Sequence, residues 1–357
     1  MSVTIQCGVV PNYRLEFFEQ LYTRVPDLSV HGGAEYFTPG FSHPEGVYRW
    51  FNPVKNLLFL NKTFMFQIGG LYSCLRADVA VLEFNPRILS NIAILLIRKL
   101  IRRKTILWGH AFSLEKRITY QRKCRLWLLS QADGIMVYTE QQSKILKDLY
   151  SITSTPIFNS TVIAASCASL QLSERKSRKD FIYCGRLVKE KKPDLFVDAA
   201  IQLLGDYSLS TFYIVGDGPL YEVLKQKIKS AGLDRRIVLL GTITDNHKLS
   251  KIYDECIFSL SPGYVGLACT QSFSFGVPML ISKNEPHAPE LEACKEGFNC
   301  EFFETNNPHD LVEKMRLGLK HPCKYSPQEI RDDCLSRYSV EKMVDQMSSL
   351  ISTLNTK

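Results

Sequence analysis

The sequence predicts an α/β protein with two domains, each built on a parallel sheet, and with a cleft between them. The length of 357 residues suits two domains, and 45% hydrophobic residues are enough for two cores. Short apolar runs alternate with longer segments of helical spacing from end to end, and parallel strands require such long crossovers. This hydrophobic content, with 22% charged residues, excludes disordered, collagen-like and coiled-coil chains.

Ten apolar runs are predicted to be strands. In the first half they are VTIQCGVV, LSVHG, VAVLEF, TILWGH and GIMVYT, and in the second half they are DFIYCG, TFYIVGDG, RIVLLGT, CIFSLSPG and VPMLIS. Helical spacing lies between many of them, for example over residues 14–24, 140–150, 195–204 and 220–231. Several runs end in glycine turns, and ligands of parallel sheets bind beyond the carboxyl ends of the strands. These turns therefore mark the candidate site.

A change in composition places the domain boundary near residue 165. No aromatic residue lies between Asn159 and Asp180, and five serines fall within residues 160–179, which is typical of a surface connection. We predict one domain over residues 1–165 and a second over residues 166–337. Helical spacing near the end predicts a C-terminal helix over residues 338–357 that packs back on the first domain.

The sequence also predicts a cytoplasmic protein without a membrane span. Its first ten residues lack the pattern of a signal peptide, and its longest uncharged apolar stretches, residues 63–75 and 88–97, are too short to cross a bilayer. Eleven scattered cysteines without a C-x-x-C pair predict reduced thiols, with neither a disulfide framework nor a zinc site.

The net charge of +8 comes entirely from the first half of the chain. Residues 98–125, which begin with Arg98 and end with Arg125, contain ten basic residues and one acidic residue beside apolar side chains. This pattern predicts a segment that lies on an anionic membrane surface. The alternative is a solvated basic face next to core residues. Nucleic acid is not expected as a partner, because no nucleic-acid-binding motif accompanies the charge.

Absent motifs exclude several classes of enzyme. The sequence has no G-x-x-x-x-G-K-[ST], H-E-x-x-H, G-x-S-x-G or G-x-G-x-x-G, and no D-x-D pair for a metal-bound nucleotide. P-loop ATP hydrolysis, zinc proteolysis and serine hydrolysis are therefore not expected.

Two segments of the second half carry candidate binding residues. In YCGRLVKEKKPDL, Arg186 ends a predicted strand and Lys191 lies near the start of a helix, a pairing that suits a diphosphate. In SPGYVGLACTQSFSFGVP, the amides of residues 264–267 are predicted to face the cleft, and Gln271 to bond a ribose or sugar hydroxyl. The alternatives are a solvated basic turn and an ordinary strand–helix turn with an incidental glutamine.

These motifs resemble glycosyltransferase family 4. Gly-Arg-Leu-x-x-x-Lys, Val-Gly-Asp-Gly-Pro, Val-Leu-Leu-Gly and Gly-Leu…Gly-Val-Pro occur in the order and spacing of that family, most sharply over residues 181–303. The resemblance implies two Rossmann-like domains with parallel sheets, the GT-B fold, and a retaining, metal-independent transfer from a UDP or GDP sugar without a cofactor. It implies catalytic roles for His110, Arg186 and Lys191. It implies donor contacts for Gly8, Arg186, Lys191, Thr242, Gly263, Tyr264, Val265, Gly266, Leu267 and Gln271.

The sequence departs from the family at two positions of the glycine loop. The family usually carries two glutamates eight residues apart, and Gly263 and Gln271 stand there instead. Lys192 and Pro193 also replace a small pair after the lysine. The Pro-Gly-x-x-Gly-Leu segment of this sequence resembles that of family branches in bacterial polysaccharide assembly. Activity is therefore still expected without the two glutamates.

The function expected from the resemblance is transfer of a sugar to a lipid-linked saccharide in cell-surface polysaccharide or lipopolysaccharide synthesis. The protein is expected to be peripheral at the inner face of the cytoplasmic membrane. One alternative is a sugar-nucleotide epimerase or hydrolase of the same fold, which would act on the donor without an acceptor. A second alternative is a degenerate, nucleotide-binding or lipid-binding scaffold protein, which the missing glutamates favour and the retained Arg186 and Lys191 oppose.

Overall fold

The computed structural model describes residues 1–37, 46–112, 120–164, 172, 178–207 and 209–355. The chain forms two units, Met1–Thr161 with Val340–Lys357 and Val162–Ser339. The boundaries predicted from the sequence, after residues 165 and 337, lie a few residues from these. Much of the serine-rich connection lies outside the described residues.

The first unit contains a parallel sheet of seven strands in the order β3-β2-β1-β6-β7-β8-β9 and a separate antiparallel ribbon, β4-β5. The strands are β1 (Val3–Val9), β2 (Leu28–Gly33), β3 (Phe51–Pro53), β4 (Lys55–Phe59), β5 (Phe64–Ile68), β6 (Val79–Glu83), β7 (Lys104–Trp108), β8 (Gly134–Val137) and β9 (Thr155–Pro156). Every residue of β1 is buried, as expected for a strand covered on both faces by helices. The helices are α1 (Leu15–Arg24), α2 (Leu71–Arg76), α3 (Leu89–Leu100), α4 (Tyr120–Ser130) and α5 (Glu140–Tyr150).

The second unit contains a parallel sheet of six strands in the order β12-β11-β10-β13-β14-β15. The strands are β10 (Asp180–Cys184), β11 (Phe212–Val215), β12 (Ile237–Gly241), β13 (Cys256–Ser261), β14 (Met279–Ser282) and β15 (Cys300–Phe303). The helices are α6 (Pro193–Leu204), α7 (Tyr221–Ser230), α8 (Asn246–Glu255), α9 (Ala268–Ser274), α10 (Pro308–Lys320) and α11 (Pro327–Arg337). The strand order reverses between β10 and β13, so the loops after these two strands flank the position where such sheets bind ligands.

The C-terminal helix, α12 (Val340–Asn355), belongs to the first unit. It packs against α1, and Arg24 of α1 forms an ion pair with Asp345 of α12. The side chain of Leu354 lies against Gly134 at the start of β8. The first unit is therefore built from two separated parts of the sequence.

The ten strands predicted from the sequence are all confirmed. The prediction that residues 98–125 form one lipid-facing run is wrong at Arg98, which is fully buried. Its guanidinium donates to the carbonyl oxygens of Cys74, Ala77 and Lys104, so it joins α2 to the start of β7. Residues 113–119 of that run lie outside the described residues. Among the described residues, no helix combines the length and apolar character needed to cross a bilayer.

Candidate functional site

The first site loop, residues 185–192, follows β10 in the second unit. The hydroxyl of Tyr183 donates to the carbonyl oxygen of Arg186 over 2.8 Å and so fixes the turn that presents Arg186. Gly216 supports the same turn from the neighbouring strand. Its φ of +139° favours glycine, and a Cβ there would lie 1.9 Å from the carbonyl oxygen of Gly185. The Val-Gly-Asp-Gly motif is therefore required for close backbone packing.

Arg186 and Lys191 converge on one residue, Tyr264, in the loop after β13. The Arg186 guanidinium donates to the Tyr264 hydroxyl over 3.2 Å, and the Lys191 ammonium donates to the Tyr264 carbonyl oxygen over 2.8 Å. The Lys191 Nζ also lies 3.5 Å from the centre of the Tyr264 ring, a cation–π contact. The two cations predicted from the sequence are thus brought to one place. The Tyr264 side chain joins them, a role that the sequence analysis gave only to its backbone.

The ammonium of Lys191 is electrostatically poorly compensated. Burial, and then the nearby charge of Arg186, lower the pKa of Lys191 to about 8, and the charge of Glu290 acts in the opposite direction. The partly buried Lys191 and the exposed Arg186 together favour a bound anion, because an anion stabilises both charges at once.

Gly263 lies where the second loop touches the backbone of the first. A Cβ at Gly263 would lie 2.2 Å from the carbonyl oxygen of Glu190 and 2.7 Å from the Cα of Lys191. The backbone of these two residues fills the space that a side chain at position 263 would need. The loss of the family's first glutamate is therefore coupled to close contact between the two loops.

Val265 does not present a free amide. Its N–H donates to Nδ1 of His287 over 3.0 Å, and its carbonyl oxygen accepts from the N–H of Ala288. A donor contact through the Val265 amide stays a prediction, and it would require the bond to His287 to break. His287, in the loop after β14, was missed by the sequence analysis. Its Nε2 is buried without a hydrogen-bond partner among the described residues, and burial lowers its pKa.

The remaining predicted residues of the second unit lie at the same edge of the sheet. The side-chain oxygen of Gln271, on α9, accepts from the thiol of Cys184 at the end of β10, over 3.2 Å. A Cβ built on Gly266 would lie 3.5 Å from the Lys191 ammonium, and Leu267 immediately precedes α9. Thr242 is exposed and follows β12 directly. Gln271 and Thr242 are therefore accessible from the carboxyl ends of the strands.

In the first unit, Gly8 is already surrounded. Its N–H donates to a carboxylate oxygen of Glu83 over 2.6 Å, and its carbonyl oxygen accepts from the side-chain amide of Asn56 over 2.7 Å. A Cβ at Gly8 would lie 2.5 Å from the ring of Tyr36, whose hydroxyl donates to Glu83. In this structure the backbone approach predicted at Gly8 is occupied by Tyr36.

His110 follows β7 at the surface of the first unit, in a basic and aromatic cluster. Its ring centre lies 4.7 Å from that of Tyr138, whose hydroxyl accepts from the guanidinium of Arg14. Arg14 also stacks over the ring of Trp108 at 4.4 Å, and Arg125 donates to the His110 carbonyl oxygen. Partial burial, and then the charges of Arg125 and Arg14, lower the pKa of His110 to about 4, so the imidazole is neutral at pH 7. Arg14 was missed by the sequence analysis, because nothing in its local pattern marks it.

The arrangement in the second unit suits a nucleoside diphosphate. Two cations lie together, and Gln271 bonds Cys184 at the end of β10, next to the position where a parallel sheet binds ligands; Thr242 follows the edge strand β12. Among the described residues, no group of three His, Cys, Asp or Glu side chains has the arrangement of a metal site.

Sequence comparison gives an independent result for the same part of the chain. Residues 169–334 match the family described as glycosyl transferases group 1. A GDP-mannose-dependent alpha-(1-6)-phosphatidylinositol dimannoside mannosyltransferase of Mycobacterium tuberculosis is 30% identical over 144 residues, which are 40% of this chain and 35% of that protein. The GtfA subunit of a UDP-N-acetylglucosamine–peptide N-acetylglucosaminyltransferase of Streptococcus agalactiae is 26% identical over 270 residues, 70% of this chain and 49% of that protein. The matches thus span about a third and about half of these relatives.

Structural comparison covers the whole chain. Anabaena HepE in complex with UDP is similar over 99% of this chain and 100% of that chain, with a TM-score of 0.68 and 14% identity. An apo lipopolysaccharide outer core galactosyltransferase, WaaB, gives a TM-score of 0.64 at 15% identity over 99% of this chain. The fold, with its two Rossmann-like units and parallel sheets, is that of the GT-B glycosyltransferases, as the sequence predicted.

Proposed function

We propose that the protein is a glycosyltransferase, and the match of residues 169–334 to the group 1 glycosyl transferases supports this proposal. It moves a sugar from a nucleoside-diphosphate sugar to a saccharide acceptor, with retention of the anomeric configuration and without a metal ion. The observation that carries the proposal is the convergence of Arg186 and Lys191 on Tyr264, because this pair can neutralise a diphosphate from one side.

The chemistry proposed for the pair is stabilisation of the leaving group. The bond between the anomeric carbon and the diphosphate oxygen breaks, and the acceptor hydroxyl forms the new bond from the same face of the sugar. The acceptor proton passes to the departing diphosphate oxygen. Negative charge on that diphosphate rises as the bond breaks, so Arg186 and Lys191 stabilise the transition state more than the bound donor.

The relatives support UDP or GDP as the nucleotide and a lipid-linked acceptor. HepE was crystallised with UDP, and the name of the mycobacterial relative contains GDP-mannose and phosphatidylinositol dimannoside, a sugar-bearing lipid. We therefore propose a lipid-linked saccharide acceptor, a role in cell-surface polysaccharide synthesis, and a peripheral position at the inner face of the cytoplasmic membrane.

The test replaces Arg186 and Lys191 by alanine, singly and together. Each single variant should lower kcat by ~10²-fold or more, the scale of losing one electrostatic stabiliser. The double variant should lose less than the two single effects combined, because both residues act on one group. Turnover is measured with UDP-sugar and GDP-sugar donors and a lipid-linked saccharide acceptor.

Lys189→Ala is the matched control, because Lys189 is an exposed cation in the same loop whose side chain forms no hydrogen bond or ion pair with the described site residues. It should leave kcat unchanged. Near-normal turnover of a folded Arg186→Ala variant would contradict the catalytic assignment. Consumption of the donor at the same rate without acceptor would favour the epimerase or hydrolase alternative.

A further inference from the structure

The ribbon formed by β4 and β5 presents an apolar face to solvent. Its cross-strand pairs are Lys55 with Ile68, Leu57 with Phe66, and Phe59 with Phe64. Five of these six side chains are apolar, and the outward residues Leu57, Phe66 and Ile68 are all exposed. A ribbon that lies on a domain ordinarily buries its apolar face and exposes its polar face. In this ribbon apolar side chains stand on both faces, and those of the outward face remain exposed.

The inward face of the same ribbon carries two amide side chains that are both engaged, next to the buried Met65 opposite Leu58. Asn56 donates to the carbonyl oxygen of Gly8 over 2.7 Å, and Gln67 donates to that of Cys7 over 2.9 Å. These bonds fix the register, because a shift by one residue would bury the apolar face and expose both amides. The outward apolar face is thus a stable feature of the folded unit.

The apolar surface extends beyond the two strands. Leu60, in the turn of the ribbon, is 69% exposed, and Tyr72, in α2, is 66% exposed. Leu71 is exposed beside Tyr72. Neighbouring apolar side chains of this kind mark an interaction site, in contrast to single exposed residues scattered over a surface.

Most of the charged side chains around this surface are basic. The acidic residues next to it are Glu35, whose carbonyl oxygen accepts from Asn56, and Asp78, which pairs with Arg103. Residues 46–77 contain Arg49, Lys55, Lys62 and Arg76 and no acidic residue. Lys55, Lys62 and Arg76 are exposed, and none of the three forms an ion pair within the part of the chain that the structure describes. Arg87 adds a further cation at the turn, where it donates to the carbonyl oxygens of Lys62 and Thr63.

We infer that the outward face of the β4–β5 ribbon, with Leu60, Leu71 and Tyr72, docks on the surface of an anionic lipid bilayer. Phenylalanine, leucine and tyrosine side chains enter the boundary between headgroups and acyl chains, and flanking lysines and arginines bind anionic headgroups. A second copy of this chain fits less well. A symmetric pair would place the same basic residues against each other with no acidic partner in this segment.

The position of the ribbon brings a docked lipid surface close to the Gly8 loop. The inward face bonds directly to the end of β1, so a lipid surface on the outward face would lie within ~10 Å, one layer of sheet, of the Gly8 loop. This inference rests on the membrane part of the proposed function. It differs from the sequence prediction in placing the contact on the ribbon and not on residues 98–125.

The test measures binding to vesicles, which does not depend on sugar transfer. The full chain is mixed with vesicles of phosphatidylcholine and phosphatidylglycerol, or of phosphatidylcholine alone, and separated by flotation. We expect binding to the anionic vesicles that weakens with salt, and at least tenfold weaker partitioning of the Leu57→Ser/Phe66→Ser variant. The tryptophan of a Phe66→Trp variant should shift its emission to the blue on anionic vesicles.

The control variant, Leu149→Ser/Leu317→Ser, removes two leucines elsewhere that are more exposed than Leu57 and Phe66, and it should bind like the parent. Equal partitioning of the ribbon variant and the parent would overturn the inference. Selective loss of binding in an Arg102→Gln/Arg103→Gln variant would also overturn it, since that result would place the membrane contact within residues 98–125. Self-association that disappears in the ribbon variant, without vesicle binding by the parent, would assign the surface to a second copy. Each result is independent of whether the protein transfers a sugar.

Discussion

The proton of the Lys191 ammonium is held less tightly than that of an ordinary lysine. Its pKa of about 8 results first from burial and then from the charge of Arg186. A bound diphosphate would reverse the second effect and raise the pKa, because an anion favours the charged form. Donor binding and protonation of Lys191 are therefore expected to be linked.

This linkage predicts the pH dependence of nucleotide binding. Lys191 is charged below its pKa, so affinity for UDP or GDP should stay constant from about pH 7 to about pH 8 and then fall by up to ~10-fold per pH unit. Titration calorimetry at a series of pH values measures this directly. The Lys191→Arg variant should lack the alkaline fall, since guanidinium stays charged, although a planar fork should replace the ammonium poorly in catalysis. An identical fall in that variant would assign it to another group.

The residues that the sequence could and could not identify differ in physical terms. Arg186 and Lys191 lie in a loop whose order and spacing specify their position, so the pattern was enough to bring them together. The contribution of the Tyr264 ring depends on a side-chain direction, which no local pattern encodes. His287 reaches Val265 from a different strand, and its contact exists only after β13 and β14 have paired.

At the scale of elements, most of the strands that could be predicted are buried on both faces, although β12, at the edge of its sheet, is only partly buried beyond Ile237. Their continuous apolar runs bounded by glycine turns have one consistent interpretation, and all ten are present. The β4–β5 ribbon could not be predicted in this way, because apolar side chains stand on both of its faces and those of the outward face are exposed. From the sequence, residues 63–75 were an uncharged apolar stretch too short to cross a bilayer.

The contact between the two site loops makes a prediction about the family's missing glutamates. Gly263→Glu should destabilise the protein by ~1–3 kcal/mol, because its Cβ would overlap the carbonyl oxygen of Glu190 and force both loops to move. Gln271→Glu should leave the melting temperature unchanged, since the side chain is only partly buried and has the same shape. Thermal unfolding compares the two variants under one condition. A Gly263→Glu variant as stable as the parent would show that the loops are not held together in this way.

At the scale of the whole molecule, the first unit depends on both ends of the described chain. Helix α12 contributes a continuous buried stripe to that unit, formed by Val340, Met343, Val344, Met347 and Ile351. Side chains of this kind each stabilise by ~1.5–3 kcal/mol when fully buried, and whole domains are stable by only ~5–15 kcal/mol. The helix is therefore a required part of the first core.

Removal of residues 340–355 should accordingly unfold the first unit while the second keeps its structure. Hydrogen exchange followed by mass spectrometry should show lost protection in β1, β6 and β7 and retained protection in β10 and β13. The Arg24→Ala variant, which breaks only the exposed ion pair with Asp345, should cost less than ~1 kcal/mol. Equal loss of protection in both sheets would show instead that the units unfold together.

The placement of α12 also sets an order for biosynthesis. A ribosome releases residues 1–161 first, yet their core lacks one of its sides until α12 has been made. The second unit, encoded in one uninterrupted stretch, has all of its strands before that helix appears. The part of the protein that is translated first is thus the part that is completed last, and during this interval the nascent first unit exposes the apolar surface that α12 later covers.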